Sequence, residues 1–369
     1  MLALVGWSYG RAMTAAGSEN WSTRSVEWIK NHGGRGIVIR IESWWYSHHK
    51  PPVGGRPSGG IPTVAEAGDT TSPPAVPSPR PAGPRHLQQP SDIRPIAASP
   101  LPHEGRWQPL GVRFEHVPTM YVSYLRPDSV HTSLLTTVVW MDTDLLRATL
   151  YAGTQLPGGS DWKHYADVGT ADRTKLAAAF NSGFALKDTR GGWYSDGRTA
   201  QPLVAGGATL VIYRNGAVNV GQWGRDGRMT PTVASARQNL SLIVDHGHPV
   251  PGLATQNFRE WGATFGGGVL VWRSGVGVDA NGGLLYAAGP GLSADSLARV
   301  LARAGAVRAM ELDINHSWMT FDWFRSAPAT PYRVAPKKLL DNPYRSAYRY
   351  LIPDERDFFV LSLRHTAPK

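Results

Sequence analysis

Residues 309–317 read A-M-E-L-D-I-N-H-S, and this stretch indicates both a strand and a site. Alternate side chains of a β-strand point to opposite faces. One face then carries the apolar side chains Met310, Leu312 and Ile314. The other face carries Glu311, Asp313 and Asn315. Because like charges this close repel and raise a pKa, the acidic face predicts a functional site, with an exposed acidic edge strand as the alternative.

Composition limits the classes of protein to which this chain can belong. Its 369 residues, 41% of them hydrophobic, suffice for one large domain or two small ones. The 14 tryptophans can pack a core or stack on sugar rings. The net charge of +10 favours an anionic partner, but most basic residues are scattered arginines, so we predict no nucleic-acid partner. The absence of cysteine excludes disulfides and cysteine-based zinc sites.

The distribution of proline, glycine and apolar residues divides the chain into three zones. The predicted zones are an N-terminal helix and strand segment at 1–50, a Pro/Gly/Ser-rich linker at 51–105 and a main domain at 106–369. The linker is predicted because 15 of the 29 prolines fall between residues 51 and 109. In the first zone, a helix is expected to end at Gly33-Gly34, and a short strand to follow at 36–41. The apolar start is too short to span a bilayer and could be the end of a membrane anchor.

Strand signals dominate the main domain. Asn215-Gly216 and Asn281-Gly282 each lie between apolar runs and predict two β-hairpins. Further strands are predicted at 134–140, 240–244 and 358–363. Two helices are predicted, one from Ser293 to Gly305 and one at 175–179. Because strands outnumber helices and do not alternate with them, we predict an α+β fold with a large mixed, mostly antiparallel β-sheet core and a few flanking helices.

Four segments carry a resemblance to a known family. Residues 178–184 read A-A-F-N-S-G-F, residues 273–284 read R-S-G-V-G-V-D-A-N-G-G-L, a predicted helix spans 292–306, and residues 312–317 read L-D-I-N-H-S. In this order they resemble the phosphodiester glycosidase family, whose pattern is A-x-F-N-x-G-F, an R-[ST]-x-x-G-x-x-x-x-G-x-L hairpin, a helix, and a strand ending in L-D-G-G-G-S. The resemblance covers roughly residues 110–365 and implies a glycan hydrolase.

The last motif departs from the family pattern. Ile314, Asn315 and His316 stand where the family has three glycines, which let a backbone approach a ligand closely. The substitution implies a substrate different from that of the best-known members. This variant resembles actinobacterial members that carry a membrane anchor and a Pro-rich tether. It therefore implies an extracytoplasmic, cell-envelope location with a membrane tether at the N-terminus.

The predicted chemistry uses two carboxylates and one guanidinium. Splitting a sugar from a phosphodiester needs a cation for the phosphate and a carboxylate that activates water or stabilises an oxocarbenium-like centre. The motif match makes Arg273 the candidate phosphate clamp, with a surface salt bridge as the alternative. Asp313 is the first candidate for the catalytic carboxylate, and bracing of the following loop is its alternative. Glu311 rests on strand alternation alone and would share the acid and base roles. We expect all three side chains to converge on one hollow.

Substrate contacts are predicted on both flanking segments. The candidates are Asn181, Ser182, Gly183, Asn315, His316 and Ser317. For Asn181 the alternative is a turn residue that bonds its own backbone. The D-H-G-H sequence at 245–248 resembles a metal cluster but lacks a third ligand at suitable spacing, so a hairpin turn is preferred. We predict no metal site and no cofactor, leave a divalent cation open, and leave the oligomeric state open.

These observations predict an enzyme. The main hypothesis is a glycan hydrolase that cleaves a glycosidic or sugar-1-phosphodiester bond in an anionic cell-envelope polymer. The alternative is a non-catalytic envelope-glycan-binding protein with the same fold, favoured by the tryptophan content and the lost glycines. A third interpretation is an envelope scaffold in which residues 1–50 dock on a partner.

Overall fold

A computed structural model describes residues 2–14, 21–34, 51–64, 85–254, 270–341 and 344–364. The strand predicted at 36–41 lies outside these residues. The helices are α1 (Leu2–Met13), α2 (Trp21–Ile29), α3 (Leu186–Thr189) and α4 (Ala294–Arg303). The first nine strands are β1 (Gln108–Phe114), β2 (Val117–Leu125), β3 (Thr136–Met141), β4 (Leu146–Tyr151), β5 (Leu176–Asn181), β6 (Trp193–Ser195), β7 (Arg198–Gln201), β8 (Ala208–Tyr213) and β9 (Val218–Gln222). The others are β10 (Val233–Gln238), β11 (Leu242–Asp245), β12 (His248–Pro249), β13 (Val271–Asp279), β14 (Leu284–Leu292), β15 (Ala306–Glu311), β16 (Phe321–Ser326), β17 (Val334–Lys338) and β18 (Phe358–Leu363).

These strands form three sheets. The strand orders are β1-β2-β3-β14-β13-β15-β11-β12, β7-β6-β10-β8-β9 and β17-β16-β5-β18-β4. Neighbouring strands pair antiparallel throughout the described sheets. The α+β prediction is confirmed, with the strands divided among three sheets that share one core. Met120, Phe180 and Leu210, one from each sheet, lie in the same buried apolar cluster.

Both predicted hairpins are present. The Asn215-Gly216 turn joins β8 and β9, and the Asn281-Gly282 turn joins β13 and β14. Gly216 has φ of 84° and Gly282 has φ of 91°, which only glycine adopts without strain. The second hairpin matters for the site because it fixes the position of Arg273 on β13.

Helix α4 packs on one face of the eight-stranded sheet, in an apolar cluster separate from the core that the three sheets share. Its Leu297 and Leu301 pack on Leu285 and Ala309 of the sheet below. Ser293 caps the helix: the Ser293 hydroxyl accepts from the Ser296 backbone N–H, and the Ser296 side chain accepts from the Ser293 backbone N–H. The predicted cap at Ser293 is therefore confirmed.

The cap gives a first testable expectation. Replacing Ser293 by alanine should lower the free energy of unfolding by about 1 kcal/mol, because one N-terminal N–H of α4 loses its acceptor. Urea denaturation followed by tryptophan fluorescence measures the change. Ser293→Asn keeps an acceptor and should restore most of the stability, and equal losses in both variants would contradict the capping role.

The helix predicted at 175–179 was wrong. Residues 176–181 form strand β5, and only a single 3₁₀ turn, Arg173–Lys175, precedes it. β5 lies between β16 and β18, and all six of its residues are buried. Leucine and alanine favour helix locally, but pairing on both edges and burial on both faces override that preference.

The zone at 51–105 contains ordered contacts. Val130 accepts a backbone hydrogen bond from Gly54 at 2.7 Å. Ile93 is fully buried, and Glu104 forms a buried ion pair with Arg126 at 2.8 Å. Among the described residues, no helix has the length and apolar character needed to cross a bilayer. The division into segment, linker and domain stays a prediction.

Candidate functional site

The pairing of β13 with β15 brings Arg273 and Glu311 together. Gly275 lies opposite Glu311 in this pair, so Arg273 and Glu311 emerge on the same face. The Arg273 Nη1 forms an ion pair with the Glu311 Oε1, and its Nε donates to the Leu292 carbonyl at 2.9 Å. Their side chains are 4% and 1% exposed. The Arg273 side chain therefore connects Glu311 at the end of β15 with the end of β14, just before α4.

Burial dominates the electrostatics of Glu311. Desolvation raises the pKa of its carboxyl, and nearby Asp313 raises it further, while the Arg273 charge and hydrogen bond lower it. The balance leaves the pKa raised. The Glu311 Oε2 is buried and has no hydrogen-bond partner among the described residues. A raised pKa moves the carboxyl toward its protonated form, the direction that suits a general acid.

Asp313 lies just beyond the end of β15. Its Oδ2 forms an ion pair with Arg356 Nη1 at 3.2 Å, and its Oδ1 accepts from the Asn315 backbone N–H at 2.9 Å. Ser274 holds the Asp313 backbone, because the Ser274 N–H donates to the Asp313 carbonyl at 2.9 Å. Asp313 therefore braces the following loop and also holds a guanidinium.

The loop after Asp313 is a compact turn. The Asn315 Oδ1 accepts from the Ser317 N–H at 2.9 Å, and the Asn315 carbonyl accepts from the Trp318 N–H at 2.9 Å. The ring of His316 lies 4.4 Å from that of Tyr344. In this turn the Asn315 side chain accepts a hydrogen bond from the backbone, as asparagine side chains commonly do in turns. Substrate contact by Asn315, His316 and Ser317 stays a prediction.

Asn181 lies at the end of β5 and bonds within the protein. Its Oδ1 accepts from the Tyr286 hydroxyl at 2.9 Å, and its Nδ2 donates to the Ser182 carbonyl at 2.9 Å and to the Ser274 Oγ at 3.1 Å. These bonds tie β5 to β13 and β14 across two sheets. The neighbouring Ser182 Oγ is buried without a hydrogen-bond partner among the described residues, and substrate contact by Asn181 and Ser182 stays a prediction.

Sequence reasoning missed Asn239, which connects the two motif segments. Its Oδ1 accepts from the Phe184 N–H at 3.1 Å, and its Nδ2 donates to the Leu312 carbonyl at 2.9 Å. A Cβ on Gly183 would lie 2.8 Å from the Asn239 side chain, so glycine is needed for this close approach. Packing therefore requires glycine at position 183, and substrate contact by Gly183 stays a prediction.

Sequence reasoning also missed the charged segment D-E-R-D at 354–357. Asp354 pairs with Arg349 at 2.6 Å, Arg356 with Asp313 at 3.2 Å, and Asp357 with Arg237 at 2.7 Å. A run of four charged residues directly before the buried strand β18 was the available signal. Charges that close to a core must be paired or functional.

Glu311, Asp313 and Arg273 come together, but they do not line an open cleft. Each of the three side chains is 4% exposed or less. A cavity of about 460 Å³ lies elsewhere, against Arg94 and Arg303 at the far end of α4. The more accessible group beside the acids is Arg356, whose side chain is 13% exposed.

Asp322 on β16 is a buried carboxyl that, unlike Glu311 and Asp313, forms no ion pair among the described residues. Neither of its oxygens has a hydrogen-bond partner among the described residues, and burial raises its pKa well above the ordinary value, against the lowering effect of Arg349 and Lys338. Below an ordinary pKa of 3.8 both the folded and the unfolded chain hold this proton. As the pH rises, the unfolded chain releases it first, so stability falls until the pH passes the raised folded-state pKa.

The Asp322→Asn variant should remove this fall. The amide keeps the shape of the side chain and does not ionise, so the variant should gain stability relative to the wild type as the pH increases. One proton contributes a slope of at most about 1.4 kcal/mol per pH unit. Urea denaturation at a series of pH values measures it, and an unchanged slope in the variant would contradict the assignment.

The D-H-G-H segment forms the preferred hairpin. β11 and β12 pair through Asp245 and His248, with His246 and Gly247 at positive φ of 48° and 79° in the turn. Asp245 is held by Arg225 at 2.7 Å. Within the described residues no group of three or more His, Cys, Asp or Glu side chains is arranged to hold a metal ion.

Comparisons with solved structures find remote similarities. The chain is similar to the catalytic domain of zebrafish N-acetylglucosamine-1-phosphodiester α-N-acetylglucosaminidase, with 16% identity, a TM-score of 0.43, and coverage of 70% of this chain and 88% of the other. It is also similar to a hypothetical protein from Synechocystis, with 13% identity, a TM-score of 0.35, and coverage of 66% and 64%. A protein of Burkholderia pseudomallei matches with 15% identity, a TM-score of 0.35, and coverage of 62% and 74%. No family model matches the chain, and no curated protein matches it. These similarities assign no role to any residue of this chain.

Proposed function

We propose that this protein is a hydrolase that cleaves a sugar-1-phosphodiester or glycosidic bond in an anionic cell-envelope glycan. One observation carries the proposal: two carboxylates at the end of β15 each hold a guanidinium, Glu311 with Arg273 and Asp313 with Arg356. Carboxylates supply acid and base, and guanidiniums bind phosphate oxygens. The ordered sequence motifs support the same reaction class.

The two carboxylates differ in a way that divides the roles. Glu311 is buried with a raised pKa, the direction that suits an acid that protonates a leaving oxygen. Asp313 faces the more accessible Arg356 and acts as the carboxylate that activates water or stabilises the sugar centre. Arg273 keeps Glu311 in place and contributes positive charge to the phosphate side.

The test is a substrate screen with the whole chain. The protein is incubated with extracted envelope polymers and with model sugar-1-phosphodiesters, and released reducing sugar and phosphomonoester are measured. Release from a phosphodiester supports the proposal. Binding of the polymers without release from any of these substrates would contradict it and favour the glycan-binding alternative.

A further inference from the structure

Arg356 is held in place by its backbone. The chain at 354–357 runs against 153–156, where the Thr154 N–H donates to the Asp354 carbonyl at 2.8 Å and the Gln155 N–H to the Glu355 carbonyl at 2.9 Å. A Cβ on Gly153 would lie 2.5 Å from the Arg356 backbone, so the two segments touch closely. The base of the Arg356 side chain is therefore fixed before any ligand arrives.

The guanidinium of Arg356 lies on an aromatic surface. Its Cζ is 4.5 Å from the centre of the Trp318 ring, and Trp318 is itself buried. Contact with the indole face restrains the guanidinium and leaves N–H groups able to bond. Asp313 engages Nη1 at 3.2 Å. Since a guanidinium carries five N–H donors, this contact leaves donor capacity for an anion.

Two other arginines near the acids, Arg273 and Arg349, are committed to the fold. The Arg273 guanidinium bonds Glu311 and the Leu292 carbonyl and is 4% exposed. Arg349 is 1% exposed and donates to both Asp354 oxygens and to the Trp318 carbonyl. Arg356 has a side-chain exposure of 13%, which makes it more accessible than either.

The charges at Arg356 allow an exchange of partners. A phosphodiester carries one negative charge, as the Asp313 carboxylate does, and offers two oxygens to the guanidinium fork. The anion can take the place of the carboxylate at the guanidinium, and because Asp313 stays beside it the site then holds one more negative charge. Asp313 is then released from its ion pair beside the bound substrate, where the reaction needs a carboxylate.

We propose that Arg356, stacked on Trp318, binds the anionic phosphodiester group of the substrate, and that this group displaces the Asp313 carboxylate from the guanidinium. The proposal rests on the proposed function for its substrate class. It assigns the phosphate contact to Arg356 in addition to the motif residue Arg273.

The experiment measures binding of dimethyl phosphate, the simplest phosphodiester anion, by calorimetry at constant ionic strength. Arg356→Gln should weaken binding about 10-fold or more, because a charge-assisted contact is lost. Arg356→Lys keeps the charge but not the two-pronged guanidinium geometry, so its affinity should lie between those of the wild type and Arg356→Gln. Asp313→Asn should bind more tightly than the wild type, because the competing carboxylate is gone.

Arg198 provides the matched control. Its guanidinium stacks on Trp162 at 4.2 Å and pairs with Asp161 at 2.8 Å, the same chemistry at another place in the chain. Arg198→Gln should leave the affinity unchanged. Circular dichroism and thermal melting confirm that each variant is folded.

The outcomes separate the two proposals. No binding by the wild type, unchanged affinity in Arg356→Gln, or equal losses in Arg356→Gln and Arg198→Gln would overturn the assignment. Affinity in Asp313→Asn equal to or weaker than that of the wild type would overturn the displacement. These readouts do not depend on turnover, so a protein that binds dimethyl phosphate through Arg356 but hydrolyses no substrate keeps the subsite and loses the proposed function.

Discussion

Asp313→Asn should lower the turnover number on a sugar-1-phosphodiester by a factor of about 10²–10⁴, the usual contribution of a positioned acid or base. The substitution preserves the shape of the side chain. In the wild type the Asn315 N–H donates to the Asp313 Oδ1 at 2.9 Å, and the amide oxygen of the variant can still accept this bond. The lost property is the negative charge that activates water or stabilises the sugar centre. KM should not rise, because the phosphodiester no longer competes with a carboxylate for Arg356. Steady-state kinetics measures both constants.

A control at another ion pair shows whether the loss is specific. Asp245, the last residue of β11, pairs with Arg225 at 2.7 Å, and Asp245→Asn should leave turnover within a factor of about two. Sodium formate, a small external carboxylate, should restore part of the activity of Asp313→Asn. Full activity in Asp313→Asn would remove Asp313 from the mechanism and leave only its bracing of the loop.

Local signals predicted much of the fold because they act over few residues. An Asn-Gly pair between apolar runs and a serine before an apolar helical stripe specify a turn and a cap without reference to the rest of the chain. β5 shows where such signals fail. Its Leu-Ala-Ala-Ala-Phe-Asn sequence has no helical or strand period, and its pairing with β16 and β18 depends on segments more than 100 residues away.

The site was predictable in part for the same reason. Alternation along one strand predicted Glu311 and Asp313 on one face, since that depends only on neighbours in the sequence, but the strand ends at Glu311 and Asp313 lies in the loop after it. The arginine that pairs with each acid depends on strand register and on contacts between segments far apart in the sequence. Arg356 is 43 residues after Asp313 in numbering and reaches it through the tertiary fold. The D-E-R-D run resembles a solvated turn until the apolar strand directly after it is considered.

Arg349 shows how strongly the fold depends on that charged segment. Arg349→Met should lower the free energy of unfolding by about 3–5 kcal/mol, the usual cost of leaving one buried charge without its partner. In the wild type the guanidinium, 1% exposed, bonds both oxygens of Asp354 and the Trp318 carbonyl. Denaturant unfolding followed by tryptophan fluorescence measures the loss.

Two further variants distinguish a buried charge from simple loss of packing. Arg349→Met combined with Asp354→Leu removes both charges and should recover part of the stability, because well-packed apolar pairs often replace buried ion pairs at little cost. Arg299→Met removes an ion pair of similar length, 2.7 Å to Asp295, from a site where the arginine is 60% exposed. That change should cost less than about 1 kcal/mol.

The pH dependence follows from Asp354. In the wild type the Arg349 charge and hydrogen bonds hold the pKa of Asp354 below its ordinary value in spite of burial, so this carboxylate stabilises the fold above that ordinary value and loses its contribution as the pH falls through the lowered one. Without Arg349 the buried carboxylate has to take up a proton. The deficit of Arg349→Met should therefore shrink at mildly acidic pH, and a deficit equal at all pH values would mean that packing, and not charge, accounts for the loss.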